Sequence, residues 1–184
     1  MQACLKSIVP SFGKRNVIDL FGYTTKGIPG VDIIGLGKRG KVLKEKNNFI
    51  TRSMQIQIPM RRYVLCFDDE RLLELGNEEF KLLELPVLIL FWSLAGVVPI
   101  KNLEDCICSG KFDVRGQITC IDPEEFNLLE HEKYKWITSK RMESEDYHIL
   151  PIEDLLEASF QTSTPLMYSS SAISTPVSRA SISS

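Results

Sequence analysis

The feature that most constrains the fold of this chain is a long run without charge, residues 85–100, which lies between Glu84 and Lys101. A membrane-spanning helix needs ~20 predominantly apolar residues, and this run is shorter and is interrupted by Pro86. Carboxylates before the run and Asn77 at a capping position suit the start of a helix in water. We therefore predict a buried core helix that Pro86 kinks or splits into two pieces; a segment that enters a membrane is the alternative.

The formal net charge of −2 conceals a strong asymmetry along the chain. Residues 1–62 hold 12 Lys and Arg against 3 Asp and Glu, or +9, and the remaining 10 and 21 give −11 for residues 63–184. A basic first part can contact phosphate on RNA or on anionic lipid, whereas the acidic remainder would be repelled by both. A solvated charged surface without a partner is the alternative.

Length and composition favour one globular domain with a core of useful size, since 43% of the residues are hydrophobic. Residues 1–11 lack the long apolar region of a secretory signal. The five cysteines are an odd number without the density of a disulfide scaffold. These observations predict a chain in a reducing compartment, either in the cytosol or on the cytosolic side of a membrane.

The chain is predicted to have three parts. Residues 1–50 show little sustained periodicity and hold seven glycines with basic residues between them, so they are predicted to form a basic, glycine-rich and partly flexible arm. Residues 51–160 are predicted to form a single globular domain. Residues 161–184 are predicted to be a disordered tail rich in Ser and Thr, because such a segment cannot bury enough apolar surface to fold.

The tail also carries candidate phosphorylation sites. Thr164 and Thr175 each precede a proline, and Ser181 follows Arg179 by two positions. Phosphate at these positions would add roughly −2 per site and would reinforce the acidic second part of the chain. An inert tail is the alternative.

A glycine-rich motif follows a short strand predicted at residues 31–34. Gly35-Leu-Gly37-Lys-Arg-Gly40-Lys41 matches G-x-G-x-x-G and comes close to the phosphate-binding loop G-x-x-x-x-G-K-[ST]. Val42 stands where that loop needs a hydroxyl, the following polar residues are too few for the packed helix such a loop opens, and residues 47–66 hold no carboxylate for a ribose. We therefore predict a flexible basic loop that contacts phosphates non-specifically, with nucleotide binding as the alternative.

Apolar patterning predicts the elements of the globular part. Residues 54–58 alternate as a half-buried strand does, and Pro59 ends them or places them at an edge. Residues 63–67 form a continuous apolar run typical of a buried strand, and a short helix is predicted to follow as far as Gly76. Residues 112–120 alternate again, with Gly116 among the apolar positions as a bulge or a close approach.

The remaining elements complete the predicted fold class. Asp122-Pro-Glu-Glu125 combines an N-cap, a first-turn proline and a capping-box glutamate, which predicts a helix start. Residues 133–137 are predicted to form a further strand, and residues 151–160 a last amphipathic helix. The predicted fold is α+β, with a small, twisted, mostly antiparallel sheet packed against two or three helices.

The sequence contains no catalytic set, and no metal or cofactor is expected. Cys106, Cys108, Cys120 and His131 supply four residue types that bind zinc, but structural zinc sites usually use paired C-x₂₋₄-C spacing. Small buried cysteines are ordinary in strands, and neither histidine has a visible cysteine partner that would make a nucleophile. The interpretation is a binding protein, not an enzyme.

Two stretches together resemble the matrix proteins of rhabdoviruses, in the form of a divergent member such as one from a plant-infecting genus. Gly76-Asn77 precedes the apolar run, which closes with Ser93-Leu-Ala-Gly96-Val-Val-Pro99, and Val114-Arg-Gly116-Gln-Ile118-Thr-Cys120-Ile121 follows in the same order. The resemblance implies a compact α+β protein of the virion and host cytoplasm, peripheral on the cytoplasmic face of membranes, with the nucleus as a further location. It implies that the protein binds the viral nucleoprotein–RNA complex, an anionic membrane surface, itself and the viral glycoprotein tail during assembly and budding.

Candidate contact residues follow from the basic arm. The residues predicted to contact phosphate, lipid or RNA are Lys38, Arg39, Lys41, Lys44, Lys46, Arg52, Arg61 and Arg62. The residues predicted to form core or self-association surface are Leu88, Ile89, Leu90, Phe91 and Trp92. An RNA-binding viral accessory protein, such as a silencing or movement factor, is the main alternative, and a small enzyme that uses the loop of residues 35–41 is a third.

Overall fold

The computed structural model describes residues 1–11, 14–98, 100, 102–121, 134–139, 148–155 and 157. Within these ranges, no helix is long and apolar enough to cross a membrane. Several predictions lie outside the described residues: the helix start at residues 122–125, His131, the Ser/Thr-rich tail and the candidate phosphorylation sites Thr164, Thr175 and Ser181.

The described elements comprise nine strands, three α-helices and one short 3-10 helix. In order they are β1 (Gln2–Ser11), β2 (Lys14–Thr25), β3 (Gly30–Ile34), α1 (Gly37–Ser53), β4 (Arg62–Phe67), a short 3-10 helix (Glu70–Leu73), α2 (Asn77–Lys81), α3 (Glu84–Ala95), β5 (Cys106–Cys108), β6 (Gly110–Phe112), β7 (Ile118–Cys120), β8 (Lys135–Thr138) and β9 (His148–Pro151).

A seven-stranded mixed sheet organises these elements, with the strand order β3-β4-β2-β1-β5-β8-β9. β2 pairs antiparallel with both β1 and β4, and these two long ladders contain most of the paired residues. β3 runs parallel to β4, and β5, β8 and β9 extend the sheet in parallel from β1. β6 and β7 form a separate antiparallel pair. The predicted α+β class, with a mostly antiparallel sheet against helices, is confirmed.

α3 is the core of the protein, as the uncharged run predicts. Residues 84–94 are all buried, and α3 packs against β1, β2, β4, β6 and α1. A helix that is apolar on every side must be covered on every side, which explains why strands and a helix surround it. Gly22 of β2 lets α3 approach closely, because a Cβ there would lie 2.8 Å from the Leu94 Cδ1 atom.

Pro86 splits the predicted helix, as expected, instead of bending it. α2 ends at Lys81 and α3 begins at Glu84, so Pro86 falls in the first turn of α3. The amide of a first-turn residue has no partner within its helix, and a proline there therefore loses no hydrogen bond. At the other end, Gly96 takes a positive φ of 78° and terminates α3.

The first 50 residues are not a loosely ordered arm. They contribute β1, β2 and β3 to the sheet and most of α1, which packs on β3 and α3. Leu5, Val9 and Leu20 are buried in the main core. Glycines and basic residues interrupt the apolar pattern of this segment, so the strands could not be recognised from the sequence. The strands form nevertheless, because backbone hydrogen bonds between β1 and β2 do not depend on side-chain chemistry.

Two strand predictions are wrong because the backbone turns within each segment. Residues 54–58 form an irregular connection after α1, in which Gln55 has a positive φ of 56°. Residues 112–120 form a hairpin, not one strand, since the Asp113 carboxylate accepts hydrogen bonds from the amides of Arg115 and Gln117. Gly116 lies in that turn with a φ of 78°.

Truncating Leu90 tests the central position of α3. Leu90 is completely buried, so Leu90→Ala is expected to lower the free energy of unfolding in urea by about 2–5 kcal/mol. The matched control Leu73→Ala alters an exposed leucine and is expected to change stability by less than about 0.5 kcal/mol. Equal small effects in both variants would contradict the core position of α3.

Candidate phosphate-binding groove

α1 presents two different faces. Its inner face is buried against β3, α3 and the core through Gly40, Leu43, Asn47, Ile50 and Thr51. The Thr51 hydroxyl accepts a hydrogen bond of 3.0 Å from the Trp92 indole nitrogen and donates one of 2.7 Å to the Asn47 carbonyl. These buried bonds fix the second half of α1 on α3, and the basic residues of α1 are left on its outer face and along its flanks.

Arg39 is engaged within the fold. Its guanidinium donates to the carbonyl oxygens of Leu75 and Gly76 at 2.8 and 3.3 Å, and it lies 3.7 Å from the centre of the Phe80 ring. The carbonyl groups before α2 and an aromatic face therefore occupy this predicted phosphate ligand. Arg39 fastens the start of α1 to α2.

Lys46 also has a structural partner. Its ammonium lies 2.6 Å from the Glu84 carboxylate, which is buried and also accepts a hydrogen bond of 3.1 Å from the Phe112 amide. The same ammonium stands over the Phe112 ring at 4.8 Å. Lys46 therefore neutralises a buried charge that joins α1, α3 and β6, and it is committed to that role.

Three of the predicted basic residues converge on one groove at the end of the sheet where β3 and β4 begin. The groove lies between the second half of α1, the connection of residues 54–61 and these strands, with a cavity volume of about 370 Å³. We call it the basic groove, and its lining consists of Pro29, Gly30, Val31, Lys44, Asn48, Thr51, Arg52, Ile56, Ile58, Pro59, Met60, Arg61, Tyr63 and Phe91.

The basic groove combines positive charge with an apolar floor. Lys44, Arg52 and Arg61 line it, and its lining, all of it described, includes no carboxylate. The Tyr63 and Phe91 rings pack edge to face with centroids 5.1 Å apart and are buried, so the accessible apolar part of the lining consists of Ile56, Ile58 and Met60. A surface of this kind suits a ligand that carries negative charge on one side and apolar or aromatic groups on the other.

Tyr63 holds the wall of the basic groove in place. Its hydroxyl donates a hydrogen bond of 2.9 Å to the Pro59 carbonyl, which also accepts one of 2.8 Å from the Arg61 amide. Burial raises the pKa of the Tyr63 phenol, and the nearby Arg61 charge opposes this rise. The phenol thus stays protonated as a donor and fixes the backbone next to Arg61.

A second depression extends the basic groove around the edge of the sheet. Thr24, Thr25, Lys26 and Gly27 line it, and it shares Met60 and Arg61 with the basic groove. Lys26 is a cation that the sequence analysis missed, although its position in the glycine-rich turn between β2 and β3 is a signal for an exposed loop.

The other predicted contact residues lie elsewhere. Lys38 and Lys41 are exposed on the outer face of α1 and do not line the basic groove. Arg62 pairs with Asp32 of the neighbouring strand at 2.9 Å, on the opposite face of the sheet. The structure thus brings together Lys44, Arg52 and Arg61 from the predicted set of eight.

The residues predicted to form core or self-association surface are all inside the protein. Leu88, Ile89, Leu90, Phe91 and Trp92 are at most 3% exposed. They fill the core as part of α3, which is the first of the two predicted roles. A contact between copies of this chain therefore has to use other residues.

The glycine-rich motif is followed by a packed helix. The prediction that no such helix could follow, which was one argument against a nucleotide-binding loop, was wrong. β3 leads through Gly35 and Leu36 into α1, which spans Gly37–Ser53. Gly35 has a φ of 94°, and a Cβ there would lie 2.1 Å from the Phe67 carbonyl oxygen. A Cβ on Gly40 would lie within 3.4 Å of Ile33. Close packing explains these glycines, and the two-residue connection with a buried Leu36 is too short to surround a phosphate.

The candidate zinc ligands do not form a site among the described residues. Cys106, Cys108 and Cys120 are buried, and burial raises the pKa of all three thiols, that of Cys106 to about 11. The described part of the chain contains no group of three or more residues placed to bind a metal ion. These cysteines are protonated core side chains at neutral pH.

Compared with protein-family models and with curated proteins, the chain shows no match. Its function is therefore argued from the basic groove and its surroundings.

A substitution at Gly35 separates packing from phosphate binding in the glycine-rich motif. Gly35→Ala is expected to lower the free energy of unfolding by more than about 1 kcal/mol, because the methyl group meets the Phe67 carbonyl at a positive φ. Gly30→Ala is the control, since a Cβ at Gly30 has no atom within 4 Å. A Gly35→Ala protein of unchanged stability that loses nucleotide binding would restore the nucleotide loop.

Proposed function

We propose that this chain is a non-catalytic binding protein whose basic groove holds the phosphate groups of a nucleic acid. The observation that carries the proposal is the convergence of Lys44, Arg52 and Arg61 on one groove without a carboxylate. None of the three pairs with a carboxylate in the described part of the chain, whereas Arg39, Lys46 and Arg62 are engaged within the fold.

Electrostatics favours a polymer of phosphates over a single small anion. The basic groove is open and continues past Arg61 to Lys26, so its cations are spread along a path. A nucleic acid that meets several of them releases condensed counterions at each phosphate, which is a large favourable term at low salt. The accessible apolar side chains of the lining, Ile56, Ile58 and Met60, can cover the sugar or base that accompanies each phosphate.

The position of the cations favours a chain-like ligand over a flat membrane. Of the three cations in the groove lining, Lys44 is half-buried and Arg52 and Arg61 are exposed. A single polynucleotide strand enters such a groove, whereas lipid head groups in a plane reach mainly the rim. The uncharged run, which the sequence analysis left open as a membrane element, is enclosed as α3.

A matrix role is the second candidate, and the outer face of α1 favours it. Val42 and Phe49 are 66% and 53% exposed on the outer face of α1, where Lys38, Lys41 and Glu45 are exposed as well. Apolar residues with lysines beside them are typical of helices that lie on an anionic membrane. In a matrix protein this face would contact the inner leaflet while the basic groove binds the nucleoprotein–RNA complex; self-association and the glycoprotein tail belong to the same proposal.

Charge reversal in the basic groove tests nucleic-acid binding. Arg52→Glu/Arg61→Glu is expected to weaken binding of a labelled oligouridine about tenfold or more, measured by fluorescence anisotropy. The slope of log K against log salt is expected to become shallower by about 0.7 for each phosphate that the variant no longer neutralises. Lys135→Glu reverses one charge at the exposed first residue of β8, distant from β3 in the sheet, and is expected to bind like the wild type. Equal weakening in the control would show that net charge alone governs binding.

Vesicle binding tests the matrix candidate. If the outer face of α1 contacts lipid, Val42→Ser/Phe49→Ser is expected to reduce co-sedimentation with phosphatidylserine vesicles several-fold and to leave oligouridine binding unchanged. Val114→Ser removes an exposed apolar side chain from the β6–β7 turn and serves as the control. Wild-type protein that stays in solution at low salt would exclude this membrane contact.

A further inference from the structure

We infer that the open face of the sheet is a base-stacking surface, so that the ligand of the basic groove is single-stranded nucleic acid. This inference rests on the proposed function and specifies its ligand. The surface is the end of the sheet face opposite α3, formed around Phe21 and Tyr23 of β2.

The strand register places the aromatic side chains on the face away from α3. Position 22 of β2 faces α3, since a Cβ on Gly22 would lie 2.8 Å from the Leu94 Cδ1 atom, so the neighbouring Phe21 and Tyr23 point to the opposite side. Each of these two residues is 42% exposed. Successive residues on one face of a strand lie about 7 Å apart, which leaves room for one base on each ring.

Neighbouring strands complete the platform. Phe21 pairs with Cys66 of β4, and Cys66 pairs with Ile34 of β3, which is 54% exposed. Tyr23 pairs with Val64 in the adjoining row. Because paired residues point to the same side of a sheet, these side chains share one face. Phe21, Tyr23 and Ile34 are exposed on it, whereas Val64 and Cys66 are buried, and the row of Tyr23 and Val64 ends at Asp32 of β3.

The platform continues into the basic groove. Tyr23 is followed by Thr24, Thr25 and Lys26, which line the second depression, and that depression shares Arg61 with the basic groove. A single-stranded nucleic acid with its phosphates at Arg52, Arg61 and Lys26 would therefore reach Tyr23. Along this path neither the basic groove nor the second depression has a carboxylate in its lining. Cations along a path followed by aromatic rings are the usual design of a surface for single-stranded nucleic acid.

Two cations described on the open face, Lys6 and Arg62, have carboxylate partners. Lys6 pairs with Asp19 at 2.6 Å, and Arg62 pairs with Asp32 at 2.9 Å. Since both cations are neutralised by neighbours, the open face would attract bases by stacking and would gain little from an anionic membrane. A duplex keeps its bases stacked inside and cannot use the rings.

The decisive experiment compares ligands with and without bases. Phe21→Ala/Tyr23→Ala is expected to weaken oligouridine binding about tenfold or more, because stacking is lost at two positions. Its binding to inorganic polyphosphate, measured by competition, is expected to equal that of the wild type. Phe21→Trp/Tyr23→Phe keeps both rings and is expected to retain wild-type binding of both ligands.

Matched variants keep this test independent of folding and of simple apolar packing. Ile34→Ala removes an exposed aliphatic side chain from the same face and is expected to leave oligouridine binding within about twofold of the wild type, because it has no ring on which a base can stack. Circular dichroism and thermal unfolding of every variant are expected to match the wild type, since the altered side chains are about half exposed.

Each other outcome has a defined meaning. If the double alanine variant binds oligouridine like the wild type while Arg52→Glu/Arg61→Glu does not, the stacking surface is overturned and the proposed function stands. If wild-type protein binds neither polyphosphate nor oligouridine at low salt, the proposed function itself fails. If wild-type protein sediments as a dimer that the double alanine variant abolishes, with oligouridine binding unchanged, the open face is an interface between copies and the inference is overturned.

Discussion

The enclosure of α3 is the constraint from which the rest of the structure follows. A helix without a polar side loses stability wherever water reaches it, so strands β1, β2 and β4 must cover one side and α1 and β6 the others. α1 buries two polar side chains against this core: the Thr51 hydroxyl is satisfied by its bonds to Trp92 and to the Asn47 carbonyl, whereas the Asn47 side-chain amide has no hydrogen-bond partner in the described part of the chain. The position of α1 is thus a consequence of covering α3. Its basic residues therefore lie on the outer face and the flanks of the helix.

The candidate site is a by-product of this packing. Because the second half of α1 is fixed on α3, the connection of residues 54–61 must return along the flank of α1 to reach β4. The hydroxyl of Tyr63 fixes this return at Pro59, and Arg61 is thereby brought to the same groove as Arg52, which lies nine residues earlier in the chain. Charges that are scattered in the sequence become one surface through the path of the backbone.

The sequence predicts those parts whose physical signal is local. The uncharged run identified α3, the apolar run identified β4, and Pro86 marked the division between α2 and α3. The pairing of β1 with β2 is a hairpin that begins at Ser11 and Lys14, and it was missed because residues 1–50 show little sustained periodicity. Eight basic residues were predicted to bind phosphate, but which of them meet and which pair with Glu84 or Asp32 depends on tertiary distances. That choice cannot be made from spacing alone.

The buried carboxylate of Glu84 has a consequence for how the chain reaches this structure. It takes its partners from Lys46, far earlier in the chain, and from the Phe112 amide, well after it. In a partly folded state, α3 could be buried while only one of these two segments has docked. The Glu84 carboxylate would then be buried with one of its two partners missing, which is unfavourable by several kcal/mol. Partly assembled states are therefore depopulated, and three segments of the chain are bound into a single cooperative unit. The residue that opens the most apolar helix thus penalises incomplete folding.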